Sequence, residues 1–100
     1  MAEVEIRSNE AEHRYEAYVG EELAGFAAYR LDGDTIVFTH TEVDDEFEGQ
    51  GVASTLARGA LDDVRANSSR RVQPRCQFIK SWIDDHDDYA DLVRRPAGTD

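Results

Sequence analysis

The spacing of apolar positions divides the chain into two halves. Apolar and polar residues alternate at Val4 and Ile6 within residues 3–7, and again at Tyr15, Ala17 and Val19 within residues 13–19. A period of two belongs to strands with one buried face, so both segments are predicted strands. Gly20-Glu21-Glu22 reads as a turn in which Gly20 is free to take a positive φ. Residues 23–31 make a third strand, and Asp32-Gly33-Asp34 has the composition of a tight hairpin leading into a fourth. That fourth strand, Thr35-Ile36-Val37-Phe38-Thr39-His40-Thr41-Glu42-Val43, is β-branched or aromatic for most of its length. It is expected at the centre of a sheet with both faces covered.

After an acidic loop over residues 44–48 the period changes. Val52, Ala53, Leu56, Ala57, Ala60, Leu61 and Val64 fall on one side of a 3.6-residue repeat, and Arg58, Asp62, Asp63 and Arg65 on the other. An amphipathic helix over residues 51–66 follows, ended by Asn67-Ser68-Ser69. Residues 71–75 read as a short fifth strand, although Pro74 has no N–H to give to a ladder, so this strand is an edge or parts from its neighbour. A second helix is expected to turn Phe78, Ile79, Trp82 and Ile83 inward, and a last turn to present Tyr89, Leu92 and Val93. The pattern is that of an α+β domain: a mixed, mostly antiparallel sheet of about five strands, a central helix after the fourth strand and a helical C-terminus. With no repeat, linker or low-complexity segment, residues 1–96 are expected to form one domain and 97–100 a frayed tail.

Composition narrows the class. A chain of 100 residues supports one core that buries roughly two-thirds of its surface. Its apolar residues are dispersed, and no run approaches the ~18 consecutive residues of a membrane span. The start, Met1-Ala2-Glu3-Val4-Glu5, is neither basic nor apolar, which argues against a secretory signal, and a cytoplasmic location is expected. The single Cys76 excludes an internal disulfide framework. Acidic residues outnumber basic ones 22 to 11, for a net charge of −11, and such a surface repels nucleic acid and anionic membrane. Asp and Glu run through every part of the chain and Lys80 is its one lysine. The acid excess therefore reads as adaptation to a high-salt, halophilic cytoplasm rather than steering of a cationic substrate, which a Debye length of ~3 Å in molar salt would defeat.

Candidate chemistry begins at Gly49-Gln50-Gly51. A strand that runs into such a turn and then a helix leaves the first helical N–H groups unpaired and facing outward, where the macrodipole also favours an anion. Phosphate is the natural guest, and the small Ala53 and Ser54 keep the helix mouth open. The absence of Gly-Lys-Ser/Thr and of Gly-x-Gly-x-x-Gly argues against a P-loop nucleotidase and a dinucleotide fold. On its own such a turn is more often plain loop closure.

The order strand, Gly-x-Gly turn, helix, fifth strand, helix resembles the GNAT acetyltransferase superfamily. Its signature is Arg or Gln, two residues, Gly, one residue, then Gly or Ala, and Gly51-Val52-Ala53 matches the second half. The chain is more closely similar to the minimal GNAT-like family, the YidJ-type N-acetyltransferase domain, which lacks the usual amino-terminal helices. Four segments carry the likeness in order: Phe38-Thr39-His40-Thr41-Glu42-Val43, Gly49-Gln50-Gly51-Val52-Ala53, Val72-Gln73-Pro74-Arg75-Cys76 and His86-Asp87-Asp88-Tyr89-Ala90-Asp91-Leu92. The resemblance implies acetyl-coenzyme A as cofactor and acetyl transfer to a small or protein amine. It implies pantetheine binding by backbone near Thr41 and Val43, and pyrophosphate binding by the turn at Gly49 and the N–H groups of Gln50, Gly51, Val52, Ala53 and Ser54. It also gives Pro74 a reason, since the fourth and fifth strands part there to admit the pantetheine. Glu48 departs from the signature's Arg or Gln, and Asp44 from the Pro usual in the minimal family. A carboxylate at position 48 should weaken phosphate binding without removing the main-chain donors.

Acetyl transfer needs a deprotonated amine, a donor to the thioester oxygen and a proton for the departing thiolate. His40 and Glu42, two residues apart on one face of the fourth strand, are catalytic candidates expected to reach the cleft where the strands part. The plainer readings are a buried histidine bonded to backbone and a solvated strand end. Cys76 stands at the start of the second helix, where the dipole lowers a thiol's pKa. An inert buried cysteine is the plain alternative. The resemblance implies a place beside the acetyl group, as nucleophile, proton donor or wall. Trp82, where relatives often carry Tyr, reads as core, Tyr89 as a packed aromatic with its hydroxyl at the surface, and His86 as an exposed helix end. The histidines and cysteine show no metal-ligand spacing. The rivals to an acetyltransferase, monomeric or weakly dimeric, are a coenzyme A binder without turnover and a small protein-interaction module.

Overall fold

The computed structural model describes residues 4–49 and 51–95. The expected tail at 97–100 and the phosphate donor Gln50 lie outside the described residues. Five strands form one sheet in chain order: β1 (Val4–Asn9), β2 (Arg14–Val19), β3 (Glu22–Asp32), β4 (Thr35–Val43) and β5 (Arg71–Pro74). The first four pair antiparallel through short turns. β5 lies parallel to β4, because the chain crosses between them through α1 (Val52–Asn67), and a parallel neighbour requires such a crossover. α2 (Gln77–Asp84), a 3-10 turn (Asp87–Tyr89) and α3 (Ala90–Val93) follow. This is the α+β, mostly antiparallel five-stranded architecture that the periodicities predict, with bounds shifted by a residue or two.

α1 lies on one face of the sheet. Its buried stripe, Val52, Leu56, Ala57, Ala60, Leu61 and Val64, packs against Tyr15, Ala17, Ala27, Tyr29, Ile36 and Phe38. Gly59 lets it settle closely on β1, for a Cβ there would stand 2.7 Å from Ile6 Cγ1. Residues of α2 and α3, Ile79, Trp82, Ile83 and Leu92, join the same core. Among the described residues no helix is long and apolar enough to cross a membrane.

One irregularity decides which way the candidate site residues point. Tyr29 pairs with Phe38 and Ala28 with His40, which leaves Thr39 as an extra residue on β4. Such a bulge shifts the alternation by one. Ile36 and Phe38 face α1 before it, Thr41 pairs with buried Ala27 after it, and His40 and Glu42 turn to the other face beside Phe26. The expectation that β4 is covered on both faces therefore holds for residues 36–38, which are buried, and fails beyond them, where Thr39, His40 and Glu42 are exposed.

The face away from α1 carries polar rows. Glu16, only 5% exposed, accepts hydrogen bonds from Arg14 Nε at 2.7 Å, Asn9 Nδ2 at 3.0 Å and the Tyr18 hydroxyl at 3.0 Å. Burial raises its pKa, but the bonds from Asn9, Arg14 and Tyr18 together outweigh burial and hold the carboxyl below its ordinary value. Its stabilisation is therefore complete above the unfolded pKa of about 4.3 and is lost as pH falls through the lower folded value. Glu16→Gln is expected to cost about 1–2 kcal/mol in urea melts at neutral pH. The gap should close in acid, and a gap independent of pH would rule out the ionised carboxylate as its source.

Candidate functional site

The site is built where β4 leaves β5. The two strands pair over residues 35–38 and 71–74 and then part. Pro74 supplies no N–H, and the Phe38 carbonyl instead accepts from both Arg75 and Cys76 N–H groups, each at 2.9 Å. That pair of bonds turns the chain out of the sheet and into α2. The outer edge of β4 from residue 39 onward then has no strand beside it among the described residues. The parting expected from Pro74 occurs at that proline.

Beside this opening stands the mouth of α1. A 3-10 turn (Asp45–Phe47), capped by the Asp44 carboxylate accepting from Glu46 N–H at 3.0 Å, brings the chain round from β4. Gly49 and Gly51 follow with φ of 82° and 77°, a region that favours glycine. Gly51 is the N-cap and offers no side-chain acceptor, so among the described residues no side chain caps the first helical N–H groups, at Val52, Ala53 and Ser54. A Cβ on Gly49 or Gly51 would meet nothing within 4 Å. The glycines thus serve the backbone turn, and the space outside them is open.

A groove of about 430 Å³ runs across this mouth. Its walls are Val43 of β4, Phe47 and Glu48 of the loop, the turn with the first residues of α1, and Phe78 and Trp82 of α2. Phe78, 37% exposed, faces the groove rather than the core, contrary to expectation. Trp82 is a core residue as expected, and its Nε1–H donates to Ser54 Oγ at 3.0 Å, tying α2 to the first turn of α1. His86 is half-buried rather than exposed: it stacks on Trp82 with centroids 3.8 Å apart and its Nδ1 lies 2.7 Å from the Trp82 carbonyl. Tyr89 is a packed aromatic as expected, and its hydroxyl is engaged by two exposed side chains. It donates to Asp62 at 2.6 Å and accepts from Arg58 at 3.4 Å, and the bond to Asp62, then burial, raises its pKa.

Of the residues singled out from sequence, Val43, Gly49, Gly51, Val52, Ala53 and Ser54 converge on the groove. Thr41 and Cys76 form a pair of their own at the parting of the strands, the thiol donating to Thr41 Oγ1 at 3.2 Å. Cys76 is the N-cap of α2 and 9% exposed. His40 and Glu42 also form a pair, Nε2 to Oε2 at 2.6 Å. They stand on the opposite face of the sheet from Cys76, and the Thr39 bulge is the reason: strict alternation would have kept them on the side of Phe38. Next to Glu42 is a hollow of about 140 Å³ walled by Leu23, Phe26 and Asp44. Sequence reading missed Phe47 and Phe78 as groove walls. A lone aromatic in an acidic loop was the available signal for Phe47. Among the described residues no three metal-ligating side chains cluster.

A family model described as GCN5-related N-acetyl-transferase matches residues 14–92, from the start of β2 into α3. The chain belongs to this family. The comparison with curated proteins finds no match. The matched span contains the mouth of α1, the parting of β4 from β5 and the Cys76 junction. Acyl transfer from an acyl-coenzyme A to an amine is the general activity of a GCN5-related N-acetyltransferase, and acetyl-coenzyme A is the donor the family generally uses.

Proposed function

We propose that this member of the family binds acetyl-coenzyme A in the groove at the mouth of α1 and transfers its acetyl group to an amine that approaches from the opposite face of the sheet. The observation that carries this reading is the parting of β4 from β5 immediately beside an uncapped helix N-terminus. The residues fit the ligand. A pyrophosphate takes main-chain donors, and those of Val52, Ala53 and Ser54 have no side-chain cap among the described residues. The pantetheine arm is largely apolar with two amides, matching Val43, Phe47 and Phe78 along the groove and the unpaired edge of β4 at Thr41 and Val43. Glu48 is the one ill-matched wall; it is exposed and can turn away, at some loss of affinity. When bound, the donor supplies an acyl group already activated as a thioester.

The chain's own part in the chemistry falls to the groups around the parting. An alkylammonium must lose a proton before it attacks. With His40 Nε2 held by the Glu42 carboxylate, Nδ1 is left to accept that proton, and the hollow beside Glu42 and Phe26 offers the amine a place to stand. The Cys76 thiol, donating to Thr41, forms a wall of the cleft, and attack is direct. Cys76→Ala is accordingly expected to keep turnover within roughly threefold of wild type, a change of well under one kcal/mol in barrier.

Calorimetric titration of acetyl-coenzyme A at high KCl, followed by thiol release with a panel of amines, tests the proposal. Absence of heat and of a thermal shift would support a small protein-interaction module. Binding without amine-dependent thiol release would support a coenzyme A binder that does not turn over.

A further inference from the structure

A second cavity, of about 400 Å³, lies between the C-terminal half of α1 and the end of the sheet formed by β1, β2 and β3. Asp63 on its wall is nine residues beyond Ser54, so it stands about 14 Å along the helix from the groove at the other end. The cavity takes no part in the acyl-transfer site.

Its lining is acceptor-rich. Asp63 accepts from the Tyr15 hydroxyl at 2.6 Å and from Asn67 Nδ2 at 2.7 Å, which fixes the carboxylate at the wall with lone pairs to spare. The Glu10 carboxylate makes no hydrogen bond or ion pair among the described residues. Tyr29 is the informative member. It is only 8% exposed, yet its hydroxyl has no hydrogen-bond partner among the described residues. No buried side-chain N or O atom among them is sealed off without a partner, so that hydroxyl is reached from the cavity. Open to the cavity and unpaired within the chain, the hydroxyl is free to bond water there or a polar ligand that replaces it.

The charges choose the partner. Two carboxylates and the rings of Tyr15 and Tyr29 favour a cation, while the carbonyls at the end of α1, those of Arg65 and Ser68, are already taken by the Arg95 guanidinium. Arg70, also on the lining, is the opposing charge, and its Nε–H is turned to the Gly33 carbonyl at 3.3 Å. His13 lies against Tyr29 with ring centroids 5.8 Å apart and completes the aromatic wall. Burial, then the charges of Glu10 and Asp63, raise the Tyr29 phenol against the pull of Arg70, consistent with carboxylates around a protonated hydroxyl.

We propose that this cavity is a binding site for a small primary alkylammonium ion, held by the Glu10 and Asp63 carboxylates with the Tyr29 hydroxyl as a further acceptor and the tyrosine rings as its walls. The site is independent of the acetyl-coenzyme A groove, and either can fail without the other.

Ethylammonium chloride, titrated at constant ionic strength against KCl and followed by backbone amide NMR, is the test. The expected result is a saturable shift centred on Tyr29, Asp63 and Asn67 that KCl does not reproduce. Tyr29→Phe, which removes an acceptor from a charged partner, is expected to weaken ethylammonium binding by about tenfold or more, and Glu10→Gln, which keeps an acceptor but removes a charge, by about fivefold. Acetyl-coenzyme A affinity should stay unchanged in both. Glu10 is exposed and Tyr29→Phe keeps the ring, so both variants should fold, and their melting curves verify it. Shifts equal in KCl, shifts centred instead on Glu42, or wild-type affinity in both variants would each overturn the assignment.

Discussion

Ala53→Glu is expected to weaken acetyl-coenzyme A binding by about a hundredfold while leaving the protein folded. Ala53 lies in the first turn of α1, on the groove wall, in regular helical backbone. Glutamate is a good helix former and favours the positive end of the dipole, so the substitution should leave stability unchanged or slightly raised. Its carboxylate then competes for the donors that a pyrophosphate needs. A unit charge about 5 Å from a phosphate, at an effective dielectric near 20, costs about 3 kcal/mol, which is roughly a hundredfold in affinity. Ala53→Gln is the control: it adds the same bulk without charge and should lose much less. Calorimetry on all three proteins, with melting curves beside it, makes the measurement. Affinity within threefold of wild type in Ala53→Glu would move the phosphates elsewhere. Position 51 is a poorer choice, because its φ of 77° strains any side chain and mixes lost folding with lost binding.

The residues that were legible in the sequence are those whose covalent chemistry limits the backbone. Gly51 marks a left-handed turn at a helix mouth, and Pro74 marks the missing donor at which two strands part. The strands themselves follow from alternation, and β4 occupies the residues read for it. What alternation cannot show is how many residues a partner strand sets against it. Ile36, Phe38, His40 and Glu42 read as one continuous face, and Thr39 and Thr41 fit either side of a sheet. Only the pairing with β3 reveals that Thr39 is the extra residue and that the face changes there. Phe78 was misplaced for a related reason, since a broad apolar arc on a short helix does not say where the core stops. The far cavity was not legible at all, because Glu10, Tyr29 and Asp63 come from three elements that only the fold brings together.

That change of face gives the His40–Glu42 pair its test. His40→Ala is expected to lower kcat by about 10²–10⁴-fold, the usual contribution of a positioned base, with acetyl-coenzyme A affinity unchanged. Glu42→Gln should cost less, about tenfold, because the amide still orients the imidazole while no longer supporting the imidazolium charge. Both side chains are more than half exposed, and a hydrogen-bonded pair so placed contributes little to stability, so the kinetic readout is not confounded by unfolding. The two losses should not add in the double variant, because the pair acts as one unit. The roles separate cleanly from that of Cys76, which lies across the sheet beside Thr41. Turnover abolished in Cys76→Ala but retained in His40→Ala would reverse the assignment and route the acetyl group through the thiol. Turnover nearly intact in Cys76→Ala and lost in His40→Ala would mean that the bulge at Thr39 carries the base to the face from which the amine arrives.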